Sequence, residues 1–139
     1  METFKIYLAG SMGDISFEES NKWRVQGKKI LESLECEYRV NVINPNDYYN
    51  FKEKAYETEK EIIRFDLHKV RTSNLILVNL NGKSLGTAME LQHAFDHGIP
   101  IVGFKDDGTA LHPWLEFTCD RVFDNLLGSL EFIENYHLK

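Results

Sequence analysis

Cysteine is scarce in this chain: Cys36 and Cys119 stand alone, with no CxxC pair. That excludes a zinc motif and a disulfide framework, suits a reducing compartment, and leaves both as small buried hydrophobes. No apolar run approaches the ~20 residues that span a bilayer, and Met1 leads straight into a charged, then strand-like segment. A cytoplasmic protein with no membrane segment is expected. Positive charge is in the minority, 16 Lys and Arg against 22 Asp and Glu for a net charge of -6. A surface that coats a nucleic acid polymer is therefore excluded, while one small phosphate can still be held locally. Low-complexity runs and internal repeats are missing too, which removes disordered and solenoid architectures. What is there, 42% hydrophobic and 27% charged residues, is the composition of a single globular domain over 1–139 with enough apolar material for one core.

Phe4-Lys5-Ile6-Tyr7-Leu8-Ala9-Gly10 is a short apolar run closed by glycine, and Gly10-Ser11-Met12-Gly13-Asp14 after it reads as a loop. Ser16-Phe17-Glu18-Glu19 has capping-box spacing, and Trp23, Gly27, Ile30, Leu31 and Leu34 recur at helical intervals, predicting a helix of about five turns. A second strand over 38–43 ends at Asn44-Pro45-Asn46-Asp47, because proline cannot donate a ladder bond and Asn and Asp favour turns. Tyr48, Tyr49 and Phe51 follow in an aromatic loop. Thr58-Glu59-Lys60-Glu61 is a second capping box, opening a helix to about Arg71 with Ile62, Ile63, Leu67 and Val70 on one side.

The stretch 73–91 organises the rest: a buried strand to Leu80, a Gly-containing turn, and the first turn of a helix carrying Glu90. Gly98-Ile99-Pro100 stops that helix, and Ile101-Val102-Gly103-Phe104 is a fourth strand. A polar loop over 105–111, a short helix begun by His112-Pro113-Trp114, a small fifth strand over 121–123 and a helix over 126–136 complete the chain. Strands alternating with helices specify an α/β, doubly wound, five-stranded parallel sheet, flavodoxin-like or Rossmann-like in its order 2-1-3-4-5, with right-handed crossovers and both faces covered.

Asp66 is the main anomaly, a carboxylate at the centre of an apolar helical stripe. Such a group is desolvated unless a buried ion pair or capping contact satisfies it, or unless it lines a cavity as an acid. Glu90 lies at the carboxyl end of a central strand, where open α/β sheets keep their ligands, and a first-turn position favours its ionised form. On an ideal wheel it groups with His93 and His97, away from Ala88, Leu91 and Phe95, which also fits a solvated glutamate. Glu90, His93 and His97 resemble one edge of a metal site, but the HExxH order is absent and a surface helix with two histidines is favoured. Gly10-Ser11-Met12-Gly13 is too short for a Walker loop and lacks its lysine, though backbone N–H groups and a hydroxyl can cradle one phosphate. Tyr48, Tyr49, Phe51 and Trp114 fit a core or a stacking surface for a planar base.

Together these segments resemble the nucleoside 2-deoxyribosyltransferase family, which includes the 2'-deoxynucleoside 5'-monophosphate N-glycosidases. The resemblance covers nearly the whole chain. It rests on Lys5-Ile6-Tyr7-Leu8-Ala9-Gly10-Ser11, Asn44-Pro45-Asn46-Asp47, Phe65-Asp66-Leu67 followed by Ser73-Asn74-Leu75-Ile76-Leu77-Val78, and, most specifically, Leu85-Gly86-Thr87-Ala88-Met89-Glu90-Leu91. It implies that Glu90 attacks the anomeric carbon, Tyr7 holds that carboxylate, and Asp66 assists departure of the base, with no cofactor and no metal. A covalent glycosyl-enzyme resolved by water or by a second base would follow. It also implies that Gly10, Ser11, Gly13, Asn46, Asp47, Ser84 and Gly86 bind a small nucleoside or nucleotide.

Transferases of free nucleosides resemble one another in an acid six residues before the nucleophile, where this chain has Ser84. A carboxylate there would repel a phosphate, whereas serine can donate to one. The expectation is therefore hydrolysis of a nucleoside 5'-monophosphate, with deoxyribosyl transfer between bases and a non-catalytic nucleotide sensor as the alternatives. Comparable glycosidases carry arginine in the first loop where this chain has Met12-Gly13-Asp14, so a phosphate would need Lys22 or Arg24 to reach in. The family resemblance further implies a homo-oligomer, at least a dimer, whose subunits share pockets. His112 would lie near the 5' group and Trp114 near the base, although a plain helix start and a core Trp fit the same residues.

Overall fold

Alternation within the strands decides both faces of the sheet. In β1 (Thr3–Ala9), Ile6 and Leu8 belong to one apolar cluster and Tyr7 and Ala9 to the other, and all four are buried. β3 (Leu75–Asn79) repeats this, with Leu75 and Leu77 on the first face and Ile76 and Val78 on the second. Strands buried on both sides need a layer on each. The computed structural model, which describes residues 1–13, 15–49 and 56–139, supplies those layers; Asp14 and Phe51 lie outside the described residues.

β2 (Arg39–Ile43), β4 (Ile101–Phe104) and β5 (Arg121–Phe123) complete an all-parallel sheet in the order β2-β1-β3-β4-β5, as the sequence pattern predicted. α1 (Phe17–Glu32) and α5 (Leu126–Phe132), the latter prolonged by a π-turn over Ile133–His137, cover the face of Ile6 and Leu8 with Trp23, Leu31, Leu130 and Ile133. α2 (Glu59–Arg71), α3 (Leu85–Asp96) and the short α4 (Pro113–Thr118) lie on the other face, anchored by Val70, Leu91, Ala94 and Leu115. None of the described helices is long and apolar enough to cross a membrane.

The caps act where the sequence placed them. Ser16 Oγ accepts from the Glu19 N–H at 3.2 Å, and Glu61 reaches back to accept from the Thr58 N–H at 3.1 Å. Asn44-Pro45-Asn46-Asp47 ends β2 as a 3-10 turn (Pro45–Asp47), nucleated by Asn44 Oδ1 accepting from the Asn46 N–H. α1 stops at Glu32, short of Leu34, and the closing helix is α only to Phe132.

Two expectations change. α3 begins earlier than expected, at Leu85, because the Ser84 hydroxyl caps it by accepting from the Thr87 N–H at 3.2 Å. Glu90 therefore lies in the second turn, not the first, and the helix terminus is not what governs its charge. In α2 only Val70 is buried, while Ile63 is exposed and Ile62 and Leu67 are half-buried. Its apolar stripe faces open space rather than the core, and Asp66 faces that space with it.

Candidate active site

Tyr7 and Glu90 reach each other because β1 and α3 share the second face of the sheet. Tyr7 is fully buried on β1, beside Ile43 of β2 and Ile76 of β3. Its hydroxyl donates to Glu90 Oε2 at 2.5 Å. The buried ridge of α3 is Thr87, Leu91 and Ala94, at i, i+4 and i+7, and Glu90 flanks it. The wheel pattern had placed Glu90 with solvent, because it counted Phe95 as core; Phe95 is in fact exposed. Small side chains at 87 and 94 bring α3 close enough to the sheet for Glu90 to meet Tyr7.

Burial raises the Glu90 carboxyl to about 7, and the nearby Asp66 charge adds to the rise, while the Tyr7 hydroxyl and the Arg24 cation oppose it. Asp66, on α2, is pushed up to about 6, again by burial, against the Tyr49 hydroxyl, which donates to its Oδ1 at 2.5 Å, and Arg24. Between about pH 6 and pH 7 the two carboxyls share one proton, which resides mainly on Glu90, the higher-titrating of the pair, and in a smaller fraction of molecules on Asp66. Tyr7 itself is raised far above its ordinary value by burial and by the Glu90 and Asp66 charges, so it remains a donor.

A cavity of about 460 Å³ opens between these groups, lined by Asp66 and Glu90 together with Gly10, Gly13, Ser84, Gly86, Lys83 and the apolar Ile63, Leu67 and Met89. A second, of about 380 Å³, lies on the other side of Asp66 and is lined by Met12, Ser20, Asn46, Tyr49 and Ile62. Asn46 Nδ2 donates to Asn21 Oδ1 and Ser20 Oγ, but among the described residues its buried Oδ1 has no partner, and neither do Ser11 Oγ and Thr87 Oγ1. Acceptors and hydroxyls left open beside a cavity suit a polar ligand.

Of the remaining residues singled out in the sequence, Asp47 turns outward to Lys28 at 3.2 Å and lines neither cavity. His112 caps α4 by accepting from the Trp114 N–H, and Trp114 is 77% exposed rather than a core residue. The His93 and His97 rings pack at a tilt with their centres 4.4 Å apart, and among the described residues no cluster of three or more His, Cys, Asp or Glu could hold a metal. Lys22 is exposed and lines neither cavity, and Arg24 is buried with its donors on main-chain carbonyls, so neither cation reaches the cavity.

The cation that does line the cavity is Lys83, which the sequence reading passed over. Its loop is pinned from behind. Gly82 takes φ 74°, a glycine-compatible turn, and its N–H donates to Asp107 Oδ2, while Asn81 exchanges bonds with Asp106. Tyr49 contributes its hydroxyl as well as its ring, and Arg24 belongs to α1's buried face. Its spacing from Gly27 and Leu31, i+3 and i+7, was the available signal.

The sequence profile of the family described as nucleoside 2-deoxyribosyltransferase matches residues 6–129. A search of curated protein sequences finds no match. Among solved structures, a conserved protein from Enterococcus faecalis V583 is similar at TM-score 0.80 and 21% identity, covering 96% of this chain and 98% of its own. A 2-deoxyribosyltransferase from Bacillus psychrosaccharolyticus is similar at TM-score 0.72 and 18% identity, with 95% and 91% covered. A CMP N-glycosidase from Clostridium botulinum is similar at TM-score 0.58 and 13% identity, with 95% and 99% covered. At these identities the structures establish a shared fold.

Proposed function

Because the chain belongs to the nucleoside 2-deoxyribosyltransferase family, we propose that it cleaves the N-glycosidic bond of a (2'-deoxy)nucleoside 5'-monophosphate through a glycosyl-Glu90 intermediate released to water. The observation that carries this reading is the meeting of Glu90, bonded by Tyr7, with Asp66 on one cavity. Tyr7 fixes one carboxylate oxygen of Glu90 and leaves the other to form a bond to the anomeric carbon. As that bond forms, the carbon–nitrogen bond breaks, its electron pair goes to the base, and the Asp66 proton follows it to the leaving nitrogen. Water then attacks the same carbon, Asp66 takes its proton, and Glu90 is released as a carboxylate. Below about pH 6 both carboxyls are protonated and above about pH 7 both are ionised; between them the pair holds one proton, and the fraction of molecules that carry it on Asp66, leaving Glu90 ionised, is the reactive form. The pH profile of kcat/KM is therefore a bell with its limbs near those values.

The 5'-phosphate is supported by Lys83, the Ser84 hydroxyl, Gly10, Gly13 and Gly86 at the start of α3, where backbone N–H groups favour an anion. Deoxyribosyl transfer is the second reading, favoured by the family itself. Deoxynucleosides and deoxynucleotides incubated with and without a second free base, with products separated by chromatography, distinguish the two. Release of base from monophosphates alone is expected, and formation of a new nucleoside would overturn hydrolysis. In the same assay Lys83→Ala should raise KM for the monophosphate about tenfold, the loss of one exposed charge-assisted contact. An unchanged KM removes Lys83 from the site.

A homodimer belongs to this proposal, with His112 and Trp114 of one copy completing the neighbour's pocket. It is supported by the apolar surface around the cavity mouth and α4, where Leu85, Met89, Trp114 and Phe117 are all more than half exposed. Sedimentation equilibrium is expected to give at least twice the chain mass, and a monomer at assay concentration would remove this part of the proposal.

A further inference from the structure

Arg24 is completely buried in α1, and among the described residues it forms no ion pair. Its donors go to main-chain carbonyls: Nη1 to Ser20 O at 2.5 Å, Nη2 to Gly10 O at 2.9 Å and Nε to Leu8 O at 3.4 Å. The guanidinium also lies over the Trp23 ring, 4.8 Å from its centre. Neutral acceptors engage each of its three nitrogens but leave its charge uncompensated, and a desolvated charge of that kind is costly without negative charge nearby. The ionisable groups whose charge acts on it are Tyr7 of β1, Glu90 of α3 and Asp66 of α2, the three residues of the proposed reaction, each on a different element. Gly10, which lines the cavity, sits directly on the Trp23–Arg24 pair: a Cβ there would lie 3.0 Å from the Trp23 ring and 3.4 Å from Arg24 Nη2.

We infer that Arg24 is a positioning residue, a fixed positive charge behind the cavity that favours ionised Glu90 and whose main-chain bonds hold the end of β1. Burial lowers the guanidinium to about 10, so it stays charged throughout the range in which the two carboxyls titrate. On Glu90 it acts together with the Tyr7 hydroxyl and against the Asp66 charge; on Asp66 it acts together with the Tyr49 hydroxyl. Removing its charge disfavours both carboxylates and moves both titrations upward.

The kinetic test rests on the proposed reaction. Arg24→Gln should shift both limbs of the kcat/KM profile to higher pH by about half to one unit, and Arg24→Lys, which keeps the charge, should leave them in place. A folded Arg24→Gln protein that loses rate equally at every pH, with its limbs unmoved, would make Arg24 purely structural and overturn the inference. Should that variant not fold, citrulline at position 24 removes the charge and keeps the shape; ligation of a synthetic 1–35 segment at Cys36 provides it in the full chain. Carbon-13 titration of the Glu90 and Asp66 carboxyls reads the same shifts without turnover. Upward shifts in a protein that releases no base would sustain Arg24's role while rejecting the reaction, and unmoved carboxyls reject Arg24 whatever the activity.

Discussion

Glu90→Gln is expected to lower base release by at least about 10³-fold while nucleotide binding survives, because it removes the nucleophile and little else. The amide has the shape of the carboxyl, and its oxygen can still accept from the Tyr7 hydroxyl, so the junction between β1 and α3 is preserved. What is lost is the charge that captures the anomeric carbon. Single-turnover base release and equilibrium dialysis against the unreacted nucleotide check the two halves. Mass spectrometry of acid-quenched wild-type protein should find the sugar phosphate on the peptide containing Glu90. Unchanged release in the variant removes Glu90 from the mechanism; binding without turnover in the wild type would favour a sensor.

For Asp66→Asn the expected loss is about 10² to 10⁴-fold, the usual contribution of a general acid. The shape of the pH profile is the sharper readout. The alkaline limb should disappear, since it records the loss of the last proton that the two carboxyls share. A single acid limb should remain, the ionisation of Glu90, somewhat below about pH 7 because the Asp66 charge that helps to raise Glu90 is gone. A variant that keeps both limbs would assign the acid to another group, and Tyr49, which donates to Asp66 at 2.5 Å, would be the first to replace.

Asp66 and Arg24 show how much of the site was legible. Both are charges on apolar helical stripes, and helical spacing alone exposes such residues, because burying a charge unpaired is costly whatever the fold. Only the outcome differs: α2 turns its stripe toward a cavity, which Asp66 lines, whereas α1 presses its stripe onto the sheet, where Arg24 is enclosed. Glu90 was legible from its position after a central strand but not from its helix, since the wheel gave it to solvent. Lys83 carried no signal beyond its neighbours Gly82 and Ser84.

Strand alternation, helical spacing and the caps at Ser16 and Thr58 are properties of local sequence. They determined the parallel sheet and its two layers, because both depend on which side chains must leave water within a few residues of one another. The start of α3, the contact between Tyr7 and Glu90, the joining of Asp66 to them across one cavity and the enclosure of Arg24 were decided only by tertiary structure. Those contacts join residues as much as 83 positions apart, and the pKa values that make them chemistry arise from burial and from charges on other elements, which no local pattern contains.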